Sequence, residues 1–313
     1  MADPTMLSFE PSTSAVALVI GNFDGVHRGH QALIAHVVEL ARDRGLSLKV
    51  MTFEPHPAVA LGGTVPPVLT TLQRKIELLE SLAPNLRVIV QRFDRAFAQL
   101  RPEEFVERIL VGGFCVRELI VGQNFRFGRD RAGSVETLQL LGARYGFTAH
   151  AFGLEGDAAG AFSSSRARQL LQAGDLAEAN RLLGRHHAIC GVVGRGDGRG
   201  RTIGVPTANL EDIEELRPRV GVYACRVELI EGESVRDLGA AVANLGPRPT
   251  VDRGDAIEVH ILDCSLDLYG QKLRVSFIAR LREQRRFADL DALKRQIATD
   301  IAAARQIVQA AAS

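Results

Sequence analysis

An α/β half followed by an all-β half is the architecture this sequence predicts, on three observations. From Ala15 to about Gly153, short β-branched runs alternate with segments of helical period, the pattern of a mostly parallel sheet. After Arg185, strand-like runs are separated by Gly, Pro and Asp turns with no long helix between them, which predicts an antiparallel barrel. The chain closes with Leu290, Leu293, Ile297, Ile301, Ala304 and Val308 at spacings of three and four, an amphipathic helix expected to pack on that barrel. At 313 residues there is length for two domains with separate cores, and the change of texture sets them at 1–185 and 186–313.

Taken in order, the first-half strands are expected at Val16 to Ile20, Leu48 to Phe53, Arg87 to Gln91, Glu118 to Gly122 and Phe147 to Phe152. Between them Leu33, Val37, Leu40 and Ala41 recur at helical spacing, as do Ile76, Leu79 and Leu82. Gly45 is placed to stop the first of these helices. Short helices follow from about Ser165 to Leu183, with Gly174-Asp175 as a break. Barrel strands are expected near Ala188 to Gly194, Gly221 to Ile230, Leu238 to Leu245, Ile257 to Cys264 and Lys272 to Ala279, with Gly246 and Pro249 as turn residues.

Composition excludes several classes of function. Hydrophobic content of 46% with 24% charged residues is that of a globular protein and not of a disordered one. A net charge of +1 gives no global field for nucleic acid or anionic membrane. No apolar run approaches the roughly 18 residues needed to span a bilayer, and Met1 to Ala15 lacks the basic start and apolar stretch of a signal peptide. A cytoplasmic protein with no membrane or nucleic-acid partner is expected. Cys115, Cys190, Cys225 and Cys264 are far apart with no Cys-x-x-Cys pair, so they read as isolated buried thiols and not as a zinc site or disulfide framework.

The richest motif is Gly21-Asn22-Phe23-Asp24-Gly25-Val26-His27-Arg28-Gly29-His30, between an apolar strand and an amphipathic helix. A strand ending in glycine, two histidines three residues apart and a helix starting at the second aim N–H groups at one point, which suits a phosphate. Ligands of open α/β sheets sit beyond the carboxyl ends of strands, where this motif falls. In the second half, a glycine-rich basic loop at 194–204 can curl around phosphates. Thr207 and Asn209, two residues apart on an extended segment, can face one pocket. Glu258 and His260 alternate with Val259 and Ile261 and share a strand face. Neither a Walker A motif nor a dinucleotide-binding glycine fingerprint is present, which disfavours a P-loop kinase or a Rossmann dehydrogenase.

These motifs resemble the bacterial bifunctional riboflavin kinase/FMN adenylyltransferases, also called FAD synthetases. The decapeptide at 21–30, Thr52-Phe53-Glu54-Pro55-His56-Pro57, Val121-Gly122-Gln123-Asn124-Phe125-Arg126-Phe127-Gly128 and Ser163-Ser164-Ser165-Arg166 look like the adenylyltransferase motifs in family order. Gly204-Val205-Pro206-Thr207-Ala208-Asn209, Gly221-Val222-Tyr223, Asn244-Leu245-Gly246-Pro247-Arg248-Pro249-Thr250 and Glu258-Val259-His260 look like the kinase motifs. The resemblance covers nearly the whole chain. It implies a Rossmann-like nucleotidyltransferase domain with a parallel sheet, then an antiparallel β-barrel riboflavin kinase domain with a terminal helix. It also implies two ATP-dependent reactions, riboflavin to FMN and FMN to FAD, with Mg²⁺ at both sites.

By the same resemblance His27, His30 and Glu258 are catalytic, His27 and His30 as donors to ATP phosphates and Glu258 as the kinase's general base. Gly21, Asn22, Phe23, Asp24, Gly29, His30, Ser163, Ser164, Ser165, Arg166, Gly198, Gly200 and Thr207 would bind ATP. Asn124, Phe125, Arg126, Asn244 and Arg282 would meet flavin, and Thr207 and Asn209 would hold the metal. Phe23 also reads as a core residue, and His56 equally as a turn residue or a ligand contact. Asn124 stands where Asp is common, Ser165 and Ala167 where Thr and Ile are, and Val205 where Phe is usual. Three alternatives stay open: a chain with only adenylyl transfer alive, a flavin-binding regulator or carrier, and an unrelated adenylyltransferase sharing the first motif.

Overall fold

Five parallel strands, β1 (Val16–Ile20), β2 (Ser47–Glu54), β3 (Arg87–Arg92), β4 (Val116–Gly122) and β5 (Thr148–Phe152), form a sheet of order β3-β2-β1-β4-β5. β1 is central and buried along its whole length, as expected of a strand covered on both faces. Val16, Leu18 and Ile20 pack into one core with Phe105, Ile109 and Leu138. Ala17 and Val19 pack into the other with Leu33, Ile34, Val37 and Ala41. The computed structural model describes residues 7–153, 155–195, 204–232, 234–247 and 255–312. They fall into two compact units, Met1–Pro66 with Thr71–Ser163, and Pro67–Thr70 with Ser164–Ser313.

The helix α1 (Arg28–Arg44) carries the buried stripe read from the sequence and stops at Gly45, whose φ of 64° is left-handed and suits glycine. Its C-terminal end is anchored electrostatically. Glu118 of β4, 2% exposed, accepts from Arg44 Nη1 and lies 2.6 Å from His150 Nε2. Only the carboxylate is buried, and both of its partners reach solvent; the pair ties the end of α1 to β4. A cavity of about 450 Å³ opens here, lined by Arg44, Arg117, Glu118 and Thr148 among others. It lies at the amino ends of β4 and β5, the edge of the sheet opposite to the motif at 21–30.

The remaining elements of this unit are α2 (Pro57–Ala60), α3 (Leu72–Glu80), α4 (Arg95–Ala98), α5 (Pro102–Glu104), α6 (Val135–Tyr145) and the two-residue strands β6 (Gly156–Asp157) and β7 (Gly160–Ala161). A π-helical turn at Phe105–Val111 buries Phe105, Val106, Ile109 and Leu110. Leu79 of α3 is buried, whereas Leu82, expected on the same face, lies past the helix end and is 37% exposed.

In the second unit α7 (Ser164–Ala173) and α8 (Leu176–Leu183) break at Gly174-Asp175 as expected. Asp175 caps α8 by accepting from Glu178 N at 3.2 Å. Asn180 of α8 donates to Phe277 O at 3.0 Å and accepts from His187 N at 2.7 Å, which ties α8 to the barrel. Pro67–Thr70 joins this unit through Leu216 N to Val68 O and Arg168 Nε to Pro67 O, both 2.7 Å. The barrel itself is closed, in the order β10-β11-β12-β9-β8-β13. Its strands are β8 (His187–Gly194), β9 (Ala208–Glu211), β10 (Gly221–Glu231), β11 (Ser234–Pro247), β12 (Asp255–Ile261) and β13 (Lys272–Arg282). The final helix α9 (Leu290–Ala312) packs on β10, β11 and β13 and buries Ala304 and Val308.

Four expectations need correction. The segment holding Thr207 and Asn209 is more than extended: Ala208–Glu211 form β9, the strand that closes the barrel. Gly246 is not a turn residue but lies in β11 paired with Ala256, while Pro249 lies outside the described residues. Leu290, placed on the packing face, is 51% exposed because it begins the first turn of α9. Not every thiol is buried either: all four cysteines are free, and Cys115 is exposed.

Burial governs a polar cluster in this unit. Burial pushes the Glu215 carboxyl above its ordinary range and, with Glu215 beside it, pushes the Cys190 thiol up to about 11. Glu215 accepts from Cys190 N at 3.2 Å. A carboxyl whose pKa is higher folded than unfolded holds more protons in the folded chain, so its stabilising contribution is lost as pH rises through the folded pKa. Glu215→Gln keeps the acceptor and removes the buried charge. It should melt above the native chain at pH 8, with the gap narrowing towards pH 5; a gap independent of pH would contradict this.

Candidate functional site

The turn from β1 to α1 is built by three backbone constraints. Gly21 N donates to Met51 O at 3.1 Å, and the buried Thr52 hydroxyl donates to Asn22 O at 3.2 Å, so the turn is tied to β2. Phe23, Gly25 and Val26 all take positive φ, 51°, 79° and 38°. For a β-branched valine this is a strained conformation, of order 1–3 kcal/mol, of the kind kept where function needs it. Phe23 is 1% exposed, and its ring packs edge-on against His30 at 5.1 Å between centroids. It is therefore core and supports the site from below.

His27 precedes the first residue of α1, and its ring stacks on His30 with centroids 3.6 Å apart. The i, i+3 spacing thus brings both imidazoles to one place, at a helix N-terminus beyond the carboxyl end of β1. Gly29 fits closely there. A Cβ at this position would lie 3.2 Å from His27 Nδ1 and 3.4 Å from Phe162 Cβ. The Arg28 guanidinium covers the Phe162 ring at 5.2 Å, so Phe162 delivers the next residue, Ser163, to the same turn. Ser164, Ser165 and Arg166 begin α7, in the other unit.

β1 and β4 are neighbours from which the strand order runs outward in opposite directions, and such a switch point opens a crevice at the strands' carboxyl ends. Asn124, Phe125 and Arg126 follow β4 at this end, where Phe125 N donates to Gly122 O at 2.8 Å. Asn124 and Arg126 are exposed and Phe125 half-buried. Phe127 belongs to the core against Phe105. His56 caps α2, accepting at Nδ1 from Ala58 N at 3.2 Å, and its Nε2 lies 3.5 Å from the Asn22 carboxamide.

Sequence reading missed Lys75. It is 8% exposed on α3, and burial lowers its pKa while the buried Asp24 and, next, Glu54 pull it back up. A cation thus offsets two carboxylates at the carboxyl ends of β1 and β2. The available signal was a lysine four residues before Leu79, on the inward face of an amphipathic helix.

In the barrel, strand register assembles a second constellation. Asn244 pairs with Glu258, and Glu258 with Asn209, across β11, β12 and β9. Leu245, Ile257 and Leu210 alternate with them and are buried, so the three polar side chains form a row on the outer face. Asn244 Nδ2 lies 3.5 Å from Glu258 Oε2. His260 Nδ1 lies 2.7 Å from Pro206 O, which holds the residue before Thr207. β8 ends beside this row, because Gly194 pairs with Asn209. Gly198 and Gly200 lie outside the described residues. Among the described residues no three His, Cys, Asp or Glu side chains come together as a metal centre, but Thr207 and Asn209 offer oxygen donors, Asn209 directly across from Glu258. Arg282 donates to the Asp300 carboxylate from Nε at 3.0 Å and Nη2 at 2.8 Å, which ties the end of β13 to α9.

Residues 9–166 match the FAD synthetase family and residues 183–308 the riboflavin kinase family. The chain is 42% identical over 302 residues to a bifunctional riboflavin kinase/FMN adenylyltransferase of Escherichia coli strain K12, covering 96% of this chain and 95% of that one. It is 40% identical to the protein so described from Pseudomonas fluorescens, over 96% and 95%, and 36% to that of Bacillus subtilis, over 94% and 92%. A crystal structure described as a macrolide-efflux protein from Streptococcus pneumoniae superposes with a TM-score of 0.82 at 28% identity, over 96% of this chain and 97% of that one.

The close fit at Gly29 gives a test. Gly29→Ala should leave folding nearly intact but displace the His27 ring, lowering the rate of FAD formation from supplied FMN about tenfold. An unchanged rate would show that His27 need not lie where the turn holds it.

Proposed function

We infer, for a chain that belongs to the bifunctional riboflavin kinase/FMN adenylyltransferase family, that one site phosphorylates riboflavin with ATP to give FMN and the other adenylylates FMN with ATP to give FAD and pyrophosphate. The observation that carries this reading is that each family-matched segment holds its own constellation of polar groups: the stacked His27–His30 pair in one, the Asn244–Glu258–Asn209 row in the other. We assign residues 1–185 to the adenylyltransferase domain and 186–313 to the kinase domain.

In adenylyl transfer an FMN phosphate oxygen attacks the α-phosphorus of ATP and pyrophosphate leaves, so no protein nucleophile is required. The chain's part is to position and to stabilise charge. His27 and His30 donate to the phosphate oxygens, Gly21, Asn22, Asp24 and Gly29 shape the nucleotide cradle, and Lys75 keeps Asp24 and Glu54 from repelling the triphosphate. Ser163, Ser164, Ser165 and Arg166 supply hydroxyl and guanidinium donors to its distal phosphates. Asn124, Phe125 and Arg126 seat the flavin.

In the kinase reaction Glu258 takes the proton of the ribityl hydroxyl as its oxygen bonds to the γ-phosphorus and ADP departs. Asn244 sits on the flavin side, and the loop carrying Gly198 and Gly200 cradles the ATP phosphates with Thr207. Thr207 and Asn209 fit Mg²⁺, a hard cation that takes one or two protein oxygens beside substrate phosphates. Once bound, the metal would neutralise phosphate charge. We place the enzyme in the cytoplasm, a reading supported by ATP as co-substrate and four free cysteines. Among the described residues no helix is long and apolar enough to cross a membrane.

Two variants separate the assignments. Glu258→Gln should lower the rate of FMN formation by roughly 10² to 10⁴ and leave FAD formation from FMN intact. His30→Ala should do the reverse, by on the order of a hundredfold. Kinase turnover at the native rate in Glu258→Gln would remove the base assignment, and native FAD formation in His30→Ala would remove the first site.

A further inference from the structure

The segment between β13 and α9 carries a side chain that neither constellation above includes. The Gln284 carboxamide donates from Nε2 to Asn244 Oδ1 at 2.8 Å, and Asn244 in turn presents Nδ2 to Glu258 Oε2 at 3.5 Å. We propose that Gln284 is a positioning residue for the kinase reaction, which acts on Glu258 by fixing the orientation of the Asn244 amide.

Three observations carry this. First, the two ends of a carboxamide differ: with Oδ1 occupied by a donor, the Asn244 NH₂ must face the Glu258 carboxylate. Without that donor the amide can turn over and set oxygen against oxygen. Second, Gly246 leaves the path open. It lies two residues from Asn244 on the same face of β11, and a Cβ there would fall 2.0 Å from Gln284 Nε2 and 2.3 Å from its Oε1. The backbone at Gly246 has no positive φ to require glycine; what distinguishes the position is the carboxamide that crosses where a Cβ would lie. Third, the segment is held on both sides of Gln284. Arg282 is bound by the buried Asp300 of α9. Arg285 donates to Gln296 of the same helix and covers the Phe287 ring at 5.1 Å. Gln296 Nε2 returns to Asp300 Oδ1 at 2.7 Å. Arg282 thus anchors the segment that presents Gln284.

The inference rests on Glu258 as the base, so Glu258→Gln is assayed in parallel. A lost hydrogen bond of ordinary strength, about 1 kcal/mol, is worth about fivefold. Gln284→Ala should therefore lower kcat for FMN formation about three- to tenfold, with KM for ATP and riboflavin and FAD formation from FMN unchanged. Gly246→Ala, which pushes the carboxamide aside and leaves Gln284 in the chain, should have the same effect. Gln284→Ala added to Asn244→Ala should cost nothing more, since the path runs through Asn244. A native kcat in Gln284→Ala, or losses that multiply in the double variant, would overturn the inference. If Glu258→Gln is inactive in either case, the base assignment stands and only the role of Gln284 falls; if Glu258→Gln turns over normally, both fall.

Discussion

Because successive side chains of a strand face opposite ways, burying Ile257, Val259 and Ile261 inside the barrel obliges Glu258 and His260 to face outward. The same obligation acts on β9 and β11. Burying Leu210 turns Asn209 out, and burying Ala243 and Leu245 turns Asn244 out. Register then sets Asn244, Glu258 and Asn209 side by side. The chemistry of the second unit is therefore fixed by what its core must bury. β9 supplies four residues, yet without it the barrel has two edges and Glu258 has no neighbour at Asn209.

The first unit solves its problem with a turn instead of a row. β1 is spent entirely on the two cores, so the polar groups at its carboxyl end come from the residues that follow it. Three positive φ angles in the turn and a glycine that admits the His27 ring are local costs, met by the burial of Phe23 and the ties from Met51 and Thr52. At the far end of α1 the Arg44–Glu118–His150 network ties the helix to β4.

Much of this was legible in the sequence. β1 was read to the residue because a β-branched run between polar segments has few alternatives, and the Gly45 stop followed from glycine's access to left-handed φ. The meeting of His27 and His30 followed from their i, i+3 spacing, and strand alternation predicted the shared face of Glu258 and His260. What escaped depended on long-range pairing. β9 is short and has one buried side chain, Leu210, so only its partners β8 and β12 reveal it. Gly246 reads as a turn residue until Gln284 is seen to cross it. Lys75 shows only as a lysine on the inward face of α3, and its carboxylate neighbours Asp24 and Glu54 come from distant segments. The hold of Asp300 on Arg282, eighteen residues away, likewise has no signal in the sequence.

That one chain carries two complete sites, acting in sequence, is most directly tested by following the native protein with riboflavin, ATP and Mg²⁺ and resolving riboflavin, FMN and FAD by chromatography, beside a reaction started from FMN. FMN and then FAD should form from riboflavin, and FAD with pyrophosphate from FMN. FAD from FMN alone would contradict a working kinase site, and no conversion from either start would contradict both.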